Sequence, residues 1–274
     1  MKLGLFTSGY RRNPLEHCFI DAKRFGYDFI ELWGGRPHSF GPDLAAGEIA
    51  EVKRLIDLYG VSVRGYTPTH GNHNYMLGSE AQREDAVQYL KTCLDMAKEM
   101  GAEYMLTVPG HGGYYASDAE LWNRLEKTIW ELLPHAEKKG VKLVVEALTP
   151  YETNFLTRAN DLVELFSRIN SPFLVGMCDI VPPFVQHESI MAYFDKLGEK
   201  MYHLHIIDGR QGTDSHIMPG EGSIPLPELF FEIKGTGYKG AATLELVTGY
   251  INEPRMYAKR AIDNIRGMMK IAEF

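Results

Sequence analysis

The chain has 274 residues, a formal net charge of −7 and 45% hydrophobic residues. This length suits one α/β barrel, for which about 250 residues is typical. The acidic balance disfavours nucleic-acid binding, which usually requires a basic face. No apolar run approaches the roughly 18 residues of a membrane span, and the N-terminus lacks the apolar core of a signal peptide. We therefore predict one domain over residues 1–274, with no nucleic-acid or membrane partner.

The cysteines indicate a reducing compartment. Cys18, Cys93 and Cys178 are too few for a disulfide framework and show no CxxC spacing. Free thiols of this kind are typical of proteins kept reduced in the cytosol. We therefore predict a cytoplasmic location with all three thiols free.

Short apolar runs alternate with longer amphipathic segments along the whole chain. The predicted strands are residues 3–8, 27–33, 61–68, 103–110, 141–147, 173–179, 201–207 and 241–247. The predicted helices follow these strands one by one and are residues 14–25, 45–59, 79–100, 117–139, 157–169, 188–197, 226–234 and 253–271. A glycine follows each of the first four helices, as is common at helix C-termini.

Eight strand–helix units in succession predict an α/β fold, the (β/α)8 TIM barrel. The alternative is an open doubly wound sheet, which normally carries a glycine-rich nucleotide loop after its first strand. Here the first strand runs into TSGYRRNP, which contains no GxGxxG motif. The barrel is therefore the favoured fold.

Chemically capable side chains stand at the C-terminal ends of the predicted strands, where the active sites of such barrels lie. The last four strands end with Glu146, Asp179, His205 and Glu245. Any one of these alone could be a solvated or packed side chain, but four at equivalent positions favour a common site. Three carboxylates and an imidazole brought together require a cation. We predict one divalent metal ion (Mn²⁺, Co²⁺, Zn²⁺, Ni²⁺ or Mg²⁺), since the pattern does not distinguish these metals.

Other side chains mark the same end of the earlier strands. Glu31 and Trp33 stand at the end of strand two, whereas Tyr66, His70 and His73 belong to strand three and the residues just after it. His111 follows strand four. Each of these is as compatible with packing as with substrate contact.

These residues resemble the metal centre of the sugar isomerase and epimerase family built on the xylose isomerase-like barrel, and the resemblance covers essentially the whole chain. The family's Glu, Asp, His and Glu ligands correspond to the four residues that end the last four strands. Its second Glu, six residues after the first, corresponds to Glu152. The family's PGxG turn after strand seven stands at residues 219–222. The resemblance implies a metal-dependent isomerase of small sugars that forms a homo-oligomer, either a dimer or a tetramer.

A narrower resemblance concerns the substrate. The segments LTPYETN and NEPR, with GYTP and HLHIID, resemble the branch of the family that interconverts fructoselysine and psicoselysine during the breakdown of glycated amines (Amadori products). Better-known ketose 3-epimerases of the family grip a free ketose with a His and an Arg, where this chain has Pro182 and Gln211. The resemblance therefore implies a sugar-amine substrate with a bulky group on C1.

The resemblance also implies a mechanism, which is epimerisation at C3 by proton transfer through a metal-stabilised enediolate. Glu146 and Glu245 would be the catalytic carboxylates on the two sides of the sugar, and Glu152 would hold a hydroxyl group. The further candidate substrate contacts are His216, Arg210, Trp33, Tyr66 and His111.

The alternative functions differ in how well they fit these residues. A ketose 3-epimerase or an aldose–ketose isomerase acting on a free sugar would use the same metal ligands. A DNA-repair enzyme of the AP-endonuclease type would need additional His and Asp ligands and a basic groove. A non-catalytic sugar-binding barrel would not need paired carboxylates around a metal.

Overall fold

Eight parallel strands form a closed barrel in which each strand pairs with the next along the chain and the last pairs with the first. The computed structural model describes residues 1–274, apart from the side chain of Thr248. The strands are β1 (Lys2–Phe6), β2 (Phe29–Gly34), β3 (Val63–Pro68), β4 (Tyr104–Thr107), β5 (Lys142–Val145), β6 (Leu174–Asp179), β7 (Met201–Ile206) and β8 (Ala241–Leu244). The predicted (β/α)8 fold is therefore confirmed.

A main helix follows each strand and covers the outside of the barrel. These helices are α1 (Leu15–Phe25), α2 (Ile49–Tyr59), α3 (Glu80–Glu99), α4 (Asp118–Lys139), α5 (Ala159–Arg168), α6 (Met191–Leu197), α7 (Leu226–Gly235) and α8 (Pro254–Ile271). Among the described residues, no helix combines the length and the apolar character needed to cross a membrane. All three cysteines are free and buried.

Local signals in the sequence account for several helix ends. Ser79 caps α3, since its Oγ accepts from the backbone N–H of Gln82 at 3.3 Å while Gln82 Oε1 accepts from the N–H of Ser79 at 2.7 Å. Gly140 ends α4 with a φ of +69°, a conformation that favours glycine. Both helices therefore begin and end within one residue of the prediction.

Two predicted helices begin three or four residues later than expected. The helix predicted from residue 45 begins at Ile49, because Gly47 adopts a φ of +131° inside a π-helical turn, Leu44–Glu48. The helix predicted from residue 188 begins at Met191. A short helix that was not predicted, Val181–Val185, precedes it and has a proline in its first turn.

The side chains inside the barrel show which strand-end residues face inward. Side chains alternate along a strand, so a residue two positions before an inward-facing residue also faces inward. Val144 and Met177, two positions before Glu146 and Asp179, belong to the apolar cluster inside the barrel, together with Tyr104. The last two strands place the polar residues His203 and Thr243 at this level, both buried.

Candidate active site

The four predicted metal ligands meet at the C-terminal end of the barrel. Glu146 and Glu245 directly follow β5 and β8, while Asp179 ends β6 and is paired in register with His205 of β7. Glu146, Asp179 and His205 are buried, and the Glu245 side chain is 14% exposed. The three carboxylates line a cavity of about 660 Å³.

His205 is at the centre of this group. Its Nδ1 atom lies 3.2 Å from Glu245 Oε2 and 3.8 Å from Glu146 Oε1. Asp179 joins the group through His216, whose Nε2 atom lies 3.0 Å from Asp179 Oδ2 and 3.3 Å from Glu245 Oε2. The site thus contains the four predicted residues and a second imidazole that comes from the loop after β7.

Two atoms at the centre of the group fit a cation. His205 Nδ1 and Glu245 Oε2 are buried, and among the described residues neither has a hydrogen-bond partner of acceptable geometry. Buried polar atoms are normally paired, so a facing pair without partners calls for an ion or a water molecule. An imidazole nitrogen with carboxylate oxygens is a donor set that divalent transition metals accept. The residues present therefore fit the expected divalent metal.

The pKa shifts reflect the crowding of charged groups in the site. Burial raises the pKa of Glu146 well above its ordinary value, and the carboxylates of Glu245 and Asp179 raise it further against the effect of His205. Burial alone would raise the pKa of Glu245 too, but His205 and His216 hold it at about 2. Burial lowers the pKa of His216, yet Asp179 and Glu245 raise it well above its ordinary value. Positive charge close to these carboxylates therefore stabilises their ionised forms.

Glu31 of β2 lies beneath His205, on the side away from the cavity. Its carboxylate is fully buried. Glu31 Oε1 lies 3.0 Å from His205 Nε2 and accepts a hydrogen bond from Thr67 Oγ1 at 2.7 Å. The other oxygen, Oε2, accepts from Tyr104 Oη and Thr243 Oγ1, both at 2.7 Å.

His203 completes this network inside the barrel. Its Nε2 atom lies 3.0 Å from Glu31 Oε2 and 2.9 Å from both Tyr104 Oη and Thr243 Oγ1. The position of Glu31 at the end of a strand is evident from the sequence, but its contact with His205 is not. The sequence signal for this network is the spacing of His203 and His205, because residues two positions apart on β7 both face into the barrel.

Three other predicted or candidate residues line the cavity. Glu152 accepts hydrogen bonds from the backbone N–H and the hydroxyl of Thr149, at 3.1 and 2.9 Å. Trp33 forms part of the wall, with the guanidinium carbon of Arg11 5.0 Å from its ring centre. His70 also lines the cavity.

The remaining three predicted substrate contacts lie outside the cavity. Tyr66 is fully buried and donates its hydroxyl to Ser39 O at 2.7 Å, because alternation along β3 turns Thr67 inward and Tyr66 outward. Arg210 is exposed, and its Nη2 lies 3.4 Å from Glu221 O. His111 instead stabilises its own loop, because its Nδ1 accepts a hydrogen bond from the backbone N–H of Gly113 at 3.0 Å.

The loop after β7 explains why His216 enters the site and Arg210 does not. Asp208 is buried, and its Oδ2 accepts from the N–H groups of Gly220 and Gly222 at 2.9 and 3.0 Å. Backbone hydrogen bonds also pair Asp208 with Ile217. These bonds clamp both ends of the loop. The glycines of the PGxG turn therefore stabilise the loop conformation through their backbone N–H groups. Asp214 of the same loop lines the cavity and had not been predicted.

Comparison with known proteins places this geometry in a family. Residues 19–268 match the family described as the xylose isomerase-like TIM barrel. Fructoselysine 3-epimerase from Shigella flexneri is 48% identical over 271 residues, which cover 98% of this chain and 98% of that protein.

Solved structures share the fold. A D-tagatose 3-epimerase-like protein superposes with a TM-score of 0.86 at 21% identity, covering 100% of this chain and 98% of that one. The IolI protein with a bound zinc atom superposes with a TM-score of 0.80 at 18% identity, covering 100% of this chain and 98% of that one. The chain therefore belongs to the xylose isomerase-like TIM-barrel family, in which it is an isomerase of the carbohydrate epimerase class.

Proposed function

We propose that this protein is a metal-dependent 3-epimerase that interconverts fructoselysine and psicoselysine. The observation that carries the proposal is the position of two carboxylates, those of Glu146 and Glu245, whose nearest oxygens lie 3.8 and 3.2 Å from His205 Nδ1. They come from strands three positions apart around the barrel. The identity of 48% with fructoselysine 3-epimerase supports the substrate.

Inversion at C3 requires one group to remove the proton from one face and another to return a proton to the opposite face. Carboxylates that enter the site from β5 and β8 can act on opposite faces of a sugar that lies between them. Glu146 and Glu245 exchange the roles of acid and base when the reaction runs in reverse. No third proton carrier is needed.

The other residues bind and orient the substrate. A divalent cation, held by Glu146, Asp179, His205 and Glu245, supplies Lewis-acid stabilisation of the negative charge that develops on the ketose oxygens. Glu152 lines the same cavity and orients a hydroxyl group of the sugar. Apolar side chains on the wall limit the access of water; they include Phe6, Leu106, Val108 and Leu148.

Arg11 is suited to the amino-acid part of fructoselysine. Among the described residues that line the cavity it is the single Lys or Arg, and it also borders the surface groove beside the cavity. It therefore stands where a substituent on C1 would leave the site. The lysine part of the substrate carries a carboxylate, with which a guanidinium forms charge-assisted hydrogen bonds.

Arg11→Gln is therefore expected to lower kcat/KM for fructoselysine about tenfold, mainly through KM, which corresponds to the loss of one charge-assisted hydrogen bond. Its kcat/KM for the free ketose D-psicose should not change. Arg24→Gln is the matched control, because Arg24 is exposed on α1, where its guanidinium carbon lies 5.7 Å from the centre of the Phe25 ring. Equal losses on both substrates would refute a role of Arg11 in binding the substituent.

Free ketoses are the main competing substrates, and two residues argue against them. Pro182 and Gln211 replace the His and Arg that hold the ketose in better-known relatives. Gln211 is exposed and donates a hydrogen bond from Nε2 to Phe184 O at 2.9 Å. Among the described residues, positions 182 and 211 therefore do not provide the His and Arg contacts that hold a free ketose in those relatives.

Product analysis tests the proposal. The metal-loaded protein is incubated separately with fructoselysine and with D-psicose, and the products are identified by NMR. We expect psicoselysine from fructoselysine, with kcat/KM at least about a hundredfold above that for D-psicose. An aldose product would instead identify an aldose–ketose isomerase, and no turnover with any of the five metals would refute the proposal.

A further inference from the structure

Glu31 is a carboxylate that lies beneath the candidate active site among hydrogen-bond donors. It is fully buried, and each of its five polar neighbours can donate a hydrogen bond to it. These neighbours are Thr67 Oγ1, Tyr104 Oη, Thr243 Oγ1, His203 Nε2 and His205 Nε2. A buried carboxylate that is surrounded only by donors is stabilised in its ionised form, which accepts all of these hydrogen bonds.

The contact with His205 has a consequence for the metal centre. Because ionised Glu31 can only accept, Nε2 of His205 must carry the proton that it shares with Glu31 Oε1. A neutral imidazole that donates from Nε2 presents a lone pair at Nδ1. Nδ1 is the atom that faces Glu245 and Glu146, and within the described part of the chain it has no hydrogen-bond partner.

We propose that Glu31 is a positioning residue that fixes His205 as the Nε2–H tautomer and directs Nδ1 to the divalent cation. This inference rests on the metal centre of the proposed function. Tyr104, Thr243 and His203 hold the carboxylate in place from three other strands, so the ring of His205 has one orientation. The negative charge of Glu31 also strengthens the imidazole as a ligand.

A purely structural role is the competing explanation, and metal affinity distinguishes the two. Glu31→Gln keeps the shape of the side chain, but it removes the charge and places a donor among donors. We expect the dissociation constant for Co²⁺, measured by competition with a chelating indicator dye, to rise about 10- to 100-fold. The visible absorption band of bound Co²⁺ should shift as well, because the imidazole ligand is reoriented.

Asp21→Asn is the matched control. Asp21 of α1 is another fully buried acid, and it accepts a hydrogen bond from Tyr10 Oη at 3.0 Å. The Asp21→Asn protein should bind Co²⁺ with the dissociation constant of the wild type, even though the substitution weakens the fold. An equal loss of affinity in both variants, or a Glu31→Gln constant within about threefold of the wild type, would refute the role of Glu31.

A second measurement needs no variant. In ¹⁵N NMR spectra of the Zn²⁺-loaded wild type, His205 should show a protonated Nε2 and a metal-bound Nδ1. A metal-bound Nε2 would overturn the inference and leave the proposed function intact. Failure of the wild type to bind any divalent ion would instead contradict the metal centre on which both rest.

Discussion

Glu245→Gln is expected to lower kcat for C3 epimerisation by about 10³-fold, within the range that one proton-transfer group contributes. The change removes a carboxylate that lies 3.2 Å from His205 Nδ1, and with it both a proton carrier and a metal ligand. Initial rates with fructoselysine, measured by NMR at saturating metal, give the comparison. Thermal unfolding of the same samples shows whether the fold is retained.

Glu221→Gln is the control for this variant. Glu221 lies on the loop after β7, as does His216, but it is half exposed and pairs with Arg260 at 2.5 Å outside the cavity. Its variant should retain the wild-type rate. If a folded Glu245→Gln protein kept its rate within about tenfold of the wild type, Glu245 could not be a proton carrier.

Removal of divalent metal by a chelator is expected to abolish epimerisation and to lower the melting temperature. Without a cation, the carboxylates of Glu146, Asp179 and Glu245 repel one another in a largely buried site, which destabilises the folded chain. A ligand present at a hundred times its dissociation constant stabilises a protein by about 2.7 kcal/mol. For a chain of this size we therefore expect a shift of about 5 °C, measured by calorimetry before and after re-addition of each metal.

His205→Asn serves as the control for the metal effect, because it removes the ligand at the centre of the group. Re-addition of metal should shift its melting temperature by far less than it shifts that of the wild type. Identical melting temperatures with and without each metal in the wild type, together with unchanged turnover, would contradict a metal centre.

The sequence predicted the fold and the strand-end residues well because both depend on local patterns. Strand–helix alternation and terminal glycines such as Gly140 are local, and the ends of parallel strands must meet at one rim of the barrel. The positions of Glu146 and Asp179 follow from that geometry alone.

The rest of the site depends on distant or irregular parts of the chain. Glu31 contacts His205 across 174 positions of the sequence, and no local pattern couples two such residues. His216 reaches the site only because Asp208 clamps its loop, and the same clamp leaves Arg210 exposed. The prediction that Tyr66 contacts substrate does not fit its position. Alternation along β3 turns Tyr66 outward because its neighbour Thr67 faces inward.

The most direct test of the account is the site of deuterium incorporation from solvent. The metal-loaded protein is incubated with fructoselysine in D2O, and the products are examined by NMR. Proton exchange between Glu146, Glu245 and the substrate predicts deuterium at C3 together with the formation of psicoselysine. Deuterium at C1 or C2, or no incorporation with any divalent metal, would contradict epimerisation at C3.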